Sequence, residues 1–272
     1  MSVETYKPKV WQPKSKELTK SYDGTPSMPF FVTGVIPSAT GSVYYEDGST
    51  KIICSVYGPK SNPRAQYSDV GVLSCDFSYA PFALDFRRRR GKYDPEEVSI
   101  SMILKDTLTS SVQLDKFPKH EIQLFVMVLE RGNDEVSAAI NAASLAIVDS
   151  GIAMYDMNVA ASCAFLNESK QIVLHPTLEQ MESDDCTGVV TISHMPSLQQ
   201  VTHLYHSGKL PKNTVFDMVQ KSVKQSEEVA SFLKKQIAAN VAKTFTLPED
   251  YHDAVMNAVK FAKNANDFNA QE

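Results

Sequence analysis

The sequence predicts an α/β (α+β) fold in which mixed sheets pack against helices. Three observations predict it. The stretch from Pro29 holds β-rich runs broken by turn chemistry: FFVTGVIPS, GSVYYEDGSTKIICSVYGP and VGVLSCDFSYAPF. A further bulky apolar run, HEIQLFVMVLE, reaches Leu129 and stops at a tight polar turn, Glu130 to Asp134. A helix of small residues follows, with Ala138, Ala139, Asn141, Ala142, Ala143, Ser144 and Ala146, and Gly151 suits the left-handed cap that would end it. Small side chains let a helix backbone lie close to its neighbours, so this element is expected to be buried and central.

Taken in order, residues 1–27 are rich in Lys, Pro, Ser and Thr, with Trp11 the one large apolar anchor, and are expected to form an extended N-terminal arm. Residues 28–272 are expected to form a single domain with C-terminal helices. Asp47-Gly48 lies between two β-rich runs and signals a hairpin. Gly58-Pro59 is expected to end the next strand, and an antiparallel meander is the simplest arrangement of this region. A helix should begin at Asp94-Pro95, with Asp94 as N-cap, Pro95 in the first turn and Glu97 completing a capping-box pattern. Ile100, Leu104, Leu108 and Val112 keep helical spacing, and Pro118 stops the segment. After Gly151, IAMYDMNVAASCAFLN, QIVLHP, VVTISHMP and LQQVTHLYHSG read as strands, and TLEQMESDDCTG as an acidic, irregular stretch. A long helix is expected from Lys212 to about Lys243, with Val215, Val219, Val223, Phe232 and Ile237 as its apolar positions, and a last helix from Pro248.

Composition narrows the function. The chain has 272 residues, 43% of them hydrophobic, and a net charge of −5, which excludes a protein wrapped in nucleic acid over its whole surface but allows a local basic patch. Cys54, Cys75, Cys163 and Cys186 show no metal-ligand spacing and are expected to be buried free thiols. The polar, proline-broken start is no secretory signal, and no apolar run is long enough to span a membrane, so a soluble intracellular protein is expected. No cofactor and no metal site is expected. His175, His194, His203 and His206 are scattered and read as satisfied or surface residues.

Two stretches carry the functional reading. A helix N-terminus presents free N–H groups and partial positive charge, a natural phosphate site. Here Asp134 and Glu135 occupy that end; they cap the helix and repel a phosphate. The second is FRRRRGKY. Arg87, Arg88, Arg89 and Arg90 form the one dense cationic run of an acidic chain, flanked by Phe86 and Tyr93. A solvated loop is one reading; contact with a nucleic-acid backbone, which guanidinium groups grip bidentately, is the other. Lys60 and Arg64, in the polar loop KSNPRAQYSD, would add to such a patch.

GSVYYEDGSTKIICSVYGPK, LSCDFSYAPF, RRRR and AAINAASLAIVDSGIAMYDM, in that order, resemble the RNase PH family across roughly residues 30–205. Within it, the four arginines after APF and the MYDM after Gly-Ile are similar to mRNA-transport-regulator-type subunits of the eukaryotic RNA exosome ring. The resemblance implies an RNase PH-like fold that pairs and then closes into a six-membered ring around an RNA channel. Active members cleave RNA from its 3′ end with inorganic phosphate, held by a Gly-Thr-Arg-Thr/Ser turn at the start of the central helix. In register, the arginine position falls at Val136, and Ser137 is the one remaining donor. The family also needs a pair of acidic residues before a later strand. Thr187 or Gly188 stands where active members have Asp, with Asp184 and Asp185 two to four places earlier.

The resemblance therefore implies a non-catalytic subunit with no catalytic residues. Its partners would be single-stranded RNA, other RNase PH-like ring subunits, OB-type RNA-binding cap subunits and a hydrolytic nuclease subunit, with work in nucleus, nucleolus and cytoplasm. Lys60, Arg64 and Arg87–Arg90 would contact the RNA backbone. The alternative is a phosphate-dependent 3′–5′ exoribonuclease whose site is rebuilt on Asp184, Asp185 and Arg64. A pure assembly protein without RNA contact is a third reading.

Overall fold

A computed structural model describes residues 28–61, 69–84, 94–167 and 171–244. These residues form two sheets and the helices that cover them, as the hydrophobic patterns predict. Strands β1 (Phe30–Thr33), β2 (Gly41–Asp47), β3 (Thr50–Ser61), β4 (Val72–Tyr79) and β5 (His120–Glu130) make a five-stranded sheet in the order β1-β2-β3-β5-β4. Strands β6 (Val159–Leu166), β7 (Gln171–Leu174), β8 (Cys186–Met195) and β9 (Gln200–Gly208) make an antiparallel sheet in the order β7-β6-β8-β9. The helices are α1 (Pro95–Thr109), α2 (Glu135–Asp149), α3 (Leu178–Glu182) and α4 (Lys212–Thr244). Among the described residues, no helix is long and apolar enough to cross a membrane.

The hairpin at Asp47-Gly48 forms as expected: Asp47 pairs with Thr50, and Gly48 takes a φ of 61°. The rest of the first sheet is not a meander. β4 lies parallel to β5, and β5 separates it from β3. The segment joining β4 to β5 contains α1, and parallel neighbours need such a long crossover. β3 also runs past Gly58-Pro59 to Ser61, because a register shift between Tyr57 and Lys60 lets the ladder resume after the proline.

Other local expectations are redrawn by tertiary contacts. Asp94 caps α1 through Glu96 N, but Glu97 is drawn away: it accepts a 3.1 Å hydrogen bond from Tyr79 N on β4. α1 ends at Thr109, and Val112, buried beyond it, bridges to Met154. Residues 152–158 are not strand; β6 starts only at Val159. On α4 the buried face is Met218, Ser222, Gln225, Ser226, Val229, Ala230 and Leu233, while Val215, Val219, Val223, Phe232 and Ile237 flank it half-buried. Cys54 and Cys163 are buried free thiols, whereas Cys75 and Cys186 are half-buried.

The small-residue helix is the centre of the molecule. Twelve of the 15 residues of α2 are buried. Gly41 shows how close the packing is: a Cβ there would meet Ala146 O at 2.5 Å and the backbone N of Ser150. Gly151 ends the helix region with a φ of 71°. Asn141 ties α2 to both sheets. Its Oδ1 accepts from Ala160 N at 2.7 Å, and its Nδ2 donates to Ala160 O at 3.1 Å and to the Tyr45 hydroxyl at 3.3 Å.

Replacing Asn141 by Ala leaves two buried backbone groups and a buried hydroxyl without their partner. Each unmade bond costs about 1–3 kcal/mol, so we expect a loss of roughly 3 kcal/mol or more in urea denaturation. A loss under about 0.5 kcal/mol, the range of ordinary surface substitutions, would show that this amide does not join the sheets.

Candidate functional site

The turn from Glu130 to Asp134 joins the end of β5 to the start of α2, and four other segments close over it. The β2–β3 hairpin comes so near that a Cβ on Gly132 would strike the Ser49 side chain. Thr50 Oγ1 accepts from Asn133 N at 2.6 Å. Asn133 bridges to Thr177, and Leu178 N donates to Gly132 O at 2.7 Å, which holds the start of α3 against the turn. That stretch is not irregular: Thr177 and Gln180 form a capping box around a short helix.

The two carboxylates at the helix start have different partners. Asp134 is the N-cap; its Oδ1 accepts from Val136 N at 3.2 Å, and its Oδ2 accepts from Thr191 Oγ1 on β8 at 2.9 Å. Glu135 is buried. It accepts from the Tyr79 hydroxyl and from Arg131 Nε, each at 2.8 Å. Burial pushes the Glu135 carboxyl up, and the Arg131 guanidinium opposes that shift. Ser137 is not a free donor either: its hydroxyl is spent on Asp134 O at 3.0 Å, and the residue is buried.

These bonds decide what the helix start can hold. The charges of Arg131 and Glu135 cancel as a pair, and among the described residues Asp134 has no ion-pair partner. A phosphate about 4 Å from that carboxylate meets roughly 4 kcal/mol of repulsion at an effective dielectric of 20. The helix terminus returns only about 0.3–2 kcal/mol. Among the described residues the balance at this end of α2 is therefore unfavourable to an anion.

Asp184 and Asp185 stand at the end of β8 away from Thr191. They precede β8, where Asp185 O accepts from Asn167 N at 3.0 Å. The strand then runs from Cys186 to Thr191 before it meets Asp134, about 16 Å at 3.3 Å per residue. Of Thr187 and Gly188, Thr187 uses its carbonyl to accept from Lys209 N at 3.2 Å. His203 and His206 lie on β9, and no metal-ligand group of three or more exists among the described residues. Lys60 is exposed at the end of β3, with Nζ 5.0 Å from the Tyr57 ring centre. Arg64, Arg87, Arg88, Arg89 and Arg90 lie outside the described residues, as do Phe86 and Tyr93.

Sequence reasoning missed Arg131, Tyr79 and Thr191 as parts of this turn, and His175 as a buried residue near it. The i,i+4 spacing of Arg131 and Glu135 is a signal in the sequence. Tyr79 and Thr191, 56 and 57 residues from their carboxylates, leave none. His175 is buried with a φ of 52°, and its Nε2 has no protein hydrogen-bond partner. Burial pushes its imidazole below the ordinary histidine range, against the pull of Asp134.

Asp134→Ala removes the cap and the Thr191 bond together and should cost about 1–2 kcal/mol by urea denaturation. Glu135→Ala strands a half-buried guanidinium and should cost more, about 3 kcal/mol. Equal, negligible losses would show that neither carboxylate holds the turn. His175 takes a proton more readily in the unfolded chain than in the folded one. Its contribution is therefore complete above the ordinary histidine range and is lost as pH falls from there towards the lower folded value. His175→Asn, which tolerates positive φ, should flatten that part of the stability–pH curve; an unchanged slope would exclude the residue as its source.

Comparison with known proteins places this geometry. The model of the 3′ exoribonuclease family, domain 1 (RNase PH) matches residues 29–153. An exosome complex component RRP41-like protein of Arabidopsis thaliana is 32% identical over 203 residues, covering 74% of this chain and 76% of the relative. The exosome complex component MTR3 of Homo sapiens is 30% identical over 221 residues, covering 76% and 80%. The crystal structure of rice (Oryza sativa) Rrp46 superposes with a TM-score of 0.68 at 19% identity, covering 78% of this chain and 96% of that one, which shows the shared fold. The chain belongs to the RNase PH, or 3′ exoribonuclease, family, alongside relatives that are exosome complex components.

Proposed function

We propose that this chain is a non-catalytic ring subunit of an RNA exosome. It pairs with other RNase PH-like subunits in a six-membered ring, carries OB-type RNA-binding cap subunits and guides single-stranded RNA to a separate hydrolytic nuclease. Its work is 3′–5′ RNA processing and degradation, including rRNA maturation and mRNA turnover, in nucleus, nucleolus and cytoplasm. The matching relatives include both RRP41-like and MTR3 components. The site's own residues, not the overall likeness, therefore carry the non-catalytic reading.

One observation carries it: the start of α2 is closed by Asp134 and Glu135, with Val136 in place of a cation. Phosphorolysis needs a bound phosphate as its nucleophile, and this terminus repels one. The fold survives without the chemistry because the same carboxylates are bonded to Thr191, Tyr79 and Arg131. RNA contact, in this reading, falls to Lys60, Arg64 and Arg87–Arg90 through sequence-independent, salt-sensitive bonds to phosphates.

Purified protein, alone and in its assembled ring, should release no nucleoside diphosphates from single-stranded RNA with phosphate and magnesium, while the ring still binds RNA. Product that disappears with Asp185→Ala would make this an enzyme. Reversing charge across Arg87–Arg90 should weaken RNA binding by the ring and reduce its salt dependence, by a log–log slope of about 0.7 per lost phosphate contact on a single strand. Unchanged binding would remove these arginines from the RNA path.

A further inference from the structure

The four-stranded sheet ends on an open edge. β9 has β8 on one side and no strand on the other among the described residues. Proteins guard such edges by keeping them short or by placing charges on them. The other three edge strands follow that rule: β1 and β7 are four residues long, and β4 carries Asp76. β9 has nine residues, QVTHLYHSG, with no Asp, Glu, Lys, Arg or Pro among them. A register shift at Ser193/His194 disturbs only its first residues. Its faces are open as well. Leu204 lies opposite Ile192, which packs with Met218 of α4, and Tyr205 lies opposite Thr191, which reaches Asp134 at the start of α2. These neighbours stand on opposite faces of the sheet, yet Leu204 is 47% and Tyr205 42% exposed. The strand overhangs its supports on both sides.

The ladder fixes which backbone groups point outward. Lys209 N donates to Thr187 O at 3.2 Å, one step beyond the Gly188–Gly208 pair. Bonded pairs alternate along an antiparallel ladder. Ser207, Tyr205 and His203 therefore bond to β8, while Leu204 and His206 aim their N–H and C=O groups away from it. We propose that a second copy of the chain pairs with this edge, β9 antiparallel to β9 about a two-fold axis at Tyr205. Leu204 then faces His206 of the second copy, and His206 faces its Leu204, so every outward group of these residues gains a partner. The two Tyr205 rings meet across the axis as an aromatic cross-strand pair, at the closer of the two ladder spacings.

Self-complementarity favours a copy over an unlike chain. Choice between unlike partners is set by complementary charges and by repulsion of the wrong ones. β9 carries no acidic, Lys or Arg side chain to answer a foreign strand or to repel itself. Leu204 and His206 are matched by the same two residues in reverse order, and a two-fold joint closes instead of growing into a fibre. The joint is small. Nine residues span about 30 Å and a sheet layer is about 10 Å deep, so about 300 Å2 is covered on each copy. That is well under the ~800 Å2 a side of a stable complex, which puts the dimer in the weak, reversible class. The pairing does not depend on whether the chain also enters a ring.

Sedimentation of the full chain from about 1 to 300 μM tests this, a range that brackets a weak dimer. The mean mass should rise from one chain towards two and no further. Over the same range, hydrogen exchange at the Leu204 and His206 amides should slow, and exchange at Tyr205, already bonded to β8, should not change. Tyr205→Lys sets like charges opposite each other across the axis and should raise the half-dimer concentration about tenfold or more. Tyr205→Glu should do the same alone, and an equimolar mixture of the two variants should pair again. His206→Pro removes an outward N–H that the fold does not use and should also weaken pairing. Urea denaturation of each variant at low concentration should match the unaltered chain. A single-chain mass throughout overturns the proposal, as does a mass that grows beyond two chains. So does a dimer that Tyr205→Lys and His206→Pro both leave intact, which lies on another surface. Protection of Leu204 and His206 that is independent of concentration gives the edge to the chain's own residues, and a mixture of the Tyr205 variants that stays monomeric excludes the two-fold; either overturns it too.

Discussion

One buried carboxamide holds the two sheets of this protein in register with the helix between them. Asn141 saturates both backbone groups of Ala160 at the start of β6 and reaches the Tyr45 hydroxyl on β2. No apolar residue could do this, because Ala160 would then keep an unpaired N–H and C=O in the core. The requirement propagates along α2. The helix must lie close enough for a short side chain to reach, so its neighbours are Ala and Ser, and β2 must present Gly41 where Ala146 and Ser150 pass. The small residues of this helix are thus a consequence of where its polar group has to be.

The same closeness shapes the helix start. Val136 N and Thr191 Oγ1 donate to the two Asp134 carboxylate oxygens, Ser137 Oγ donates to the Asp134 carbonyl, and Tyr79 and Arg131 donate to Glu135. The turn is filled by the protein's own carboxylates. These contacts run from the turn to β4 and β8, so they join the two sheets a second time.

Much of this was legible in the sequence, where the signal is local. The Asp47-Gly48 hairpin, the cap of α1 at Asp94, the buried small-residue helix and the inhospitable character of Asp134-Glu135 all follow from neighbouring residues. The parallel placement of β4 was not legible, because a strand's hydrophobic pattern does not name its neighbour; α1 in the crossover was the available clue. α3 was hidden by its acidity, although Thr177 and Gln180 spell a capping box. On α4 the valines drew attention, while the face that is buried carries Ser222, Gln225 and Ser226, polar residues that no hydrophobic period reveals. Tyr79 and Thr191 reach the site only through the fold.

The position of β5 has a consequence for synthesis. It is the last strand of its sheet in chain order, yet it lies inside, between β3 and β4. As the chain leaves the ribosome, β3 and β4 therefore emerge with unpaired ladders facing each other across a missing strand. They must wait through α1 and the following turn before residues 120–130 can enter. Until then the nascent chain carries two sticky edges and an uncovered set of core valines and leucines. Until residues 120–130 are available, the nascent chain exposes the surface on which misfolding and aggregation start.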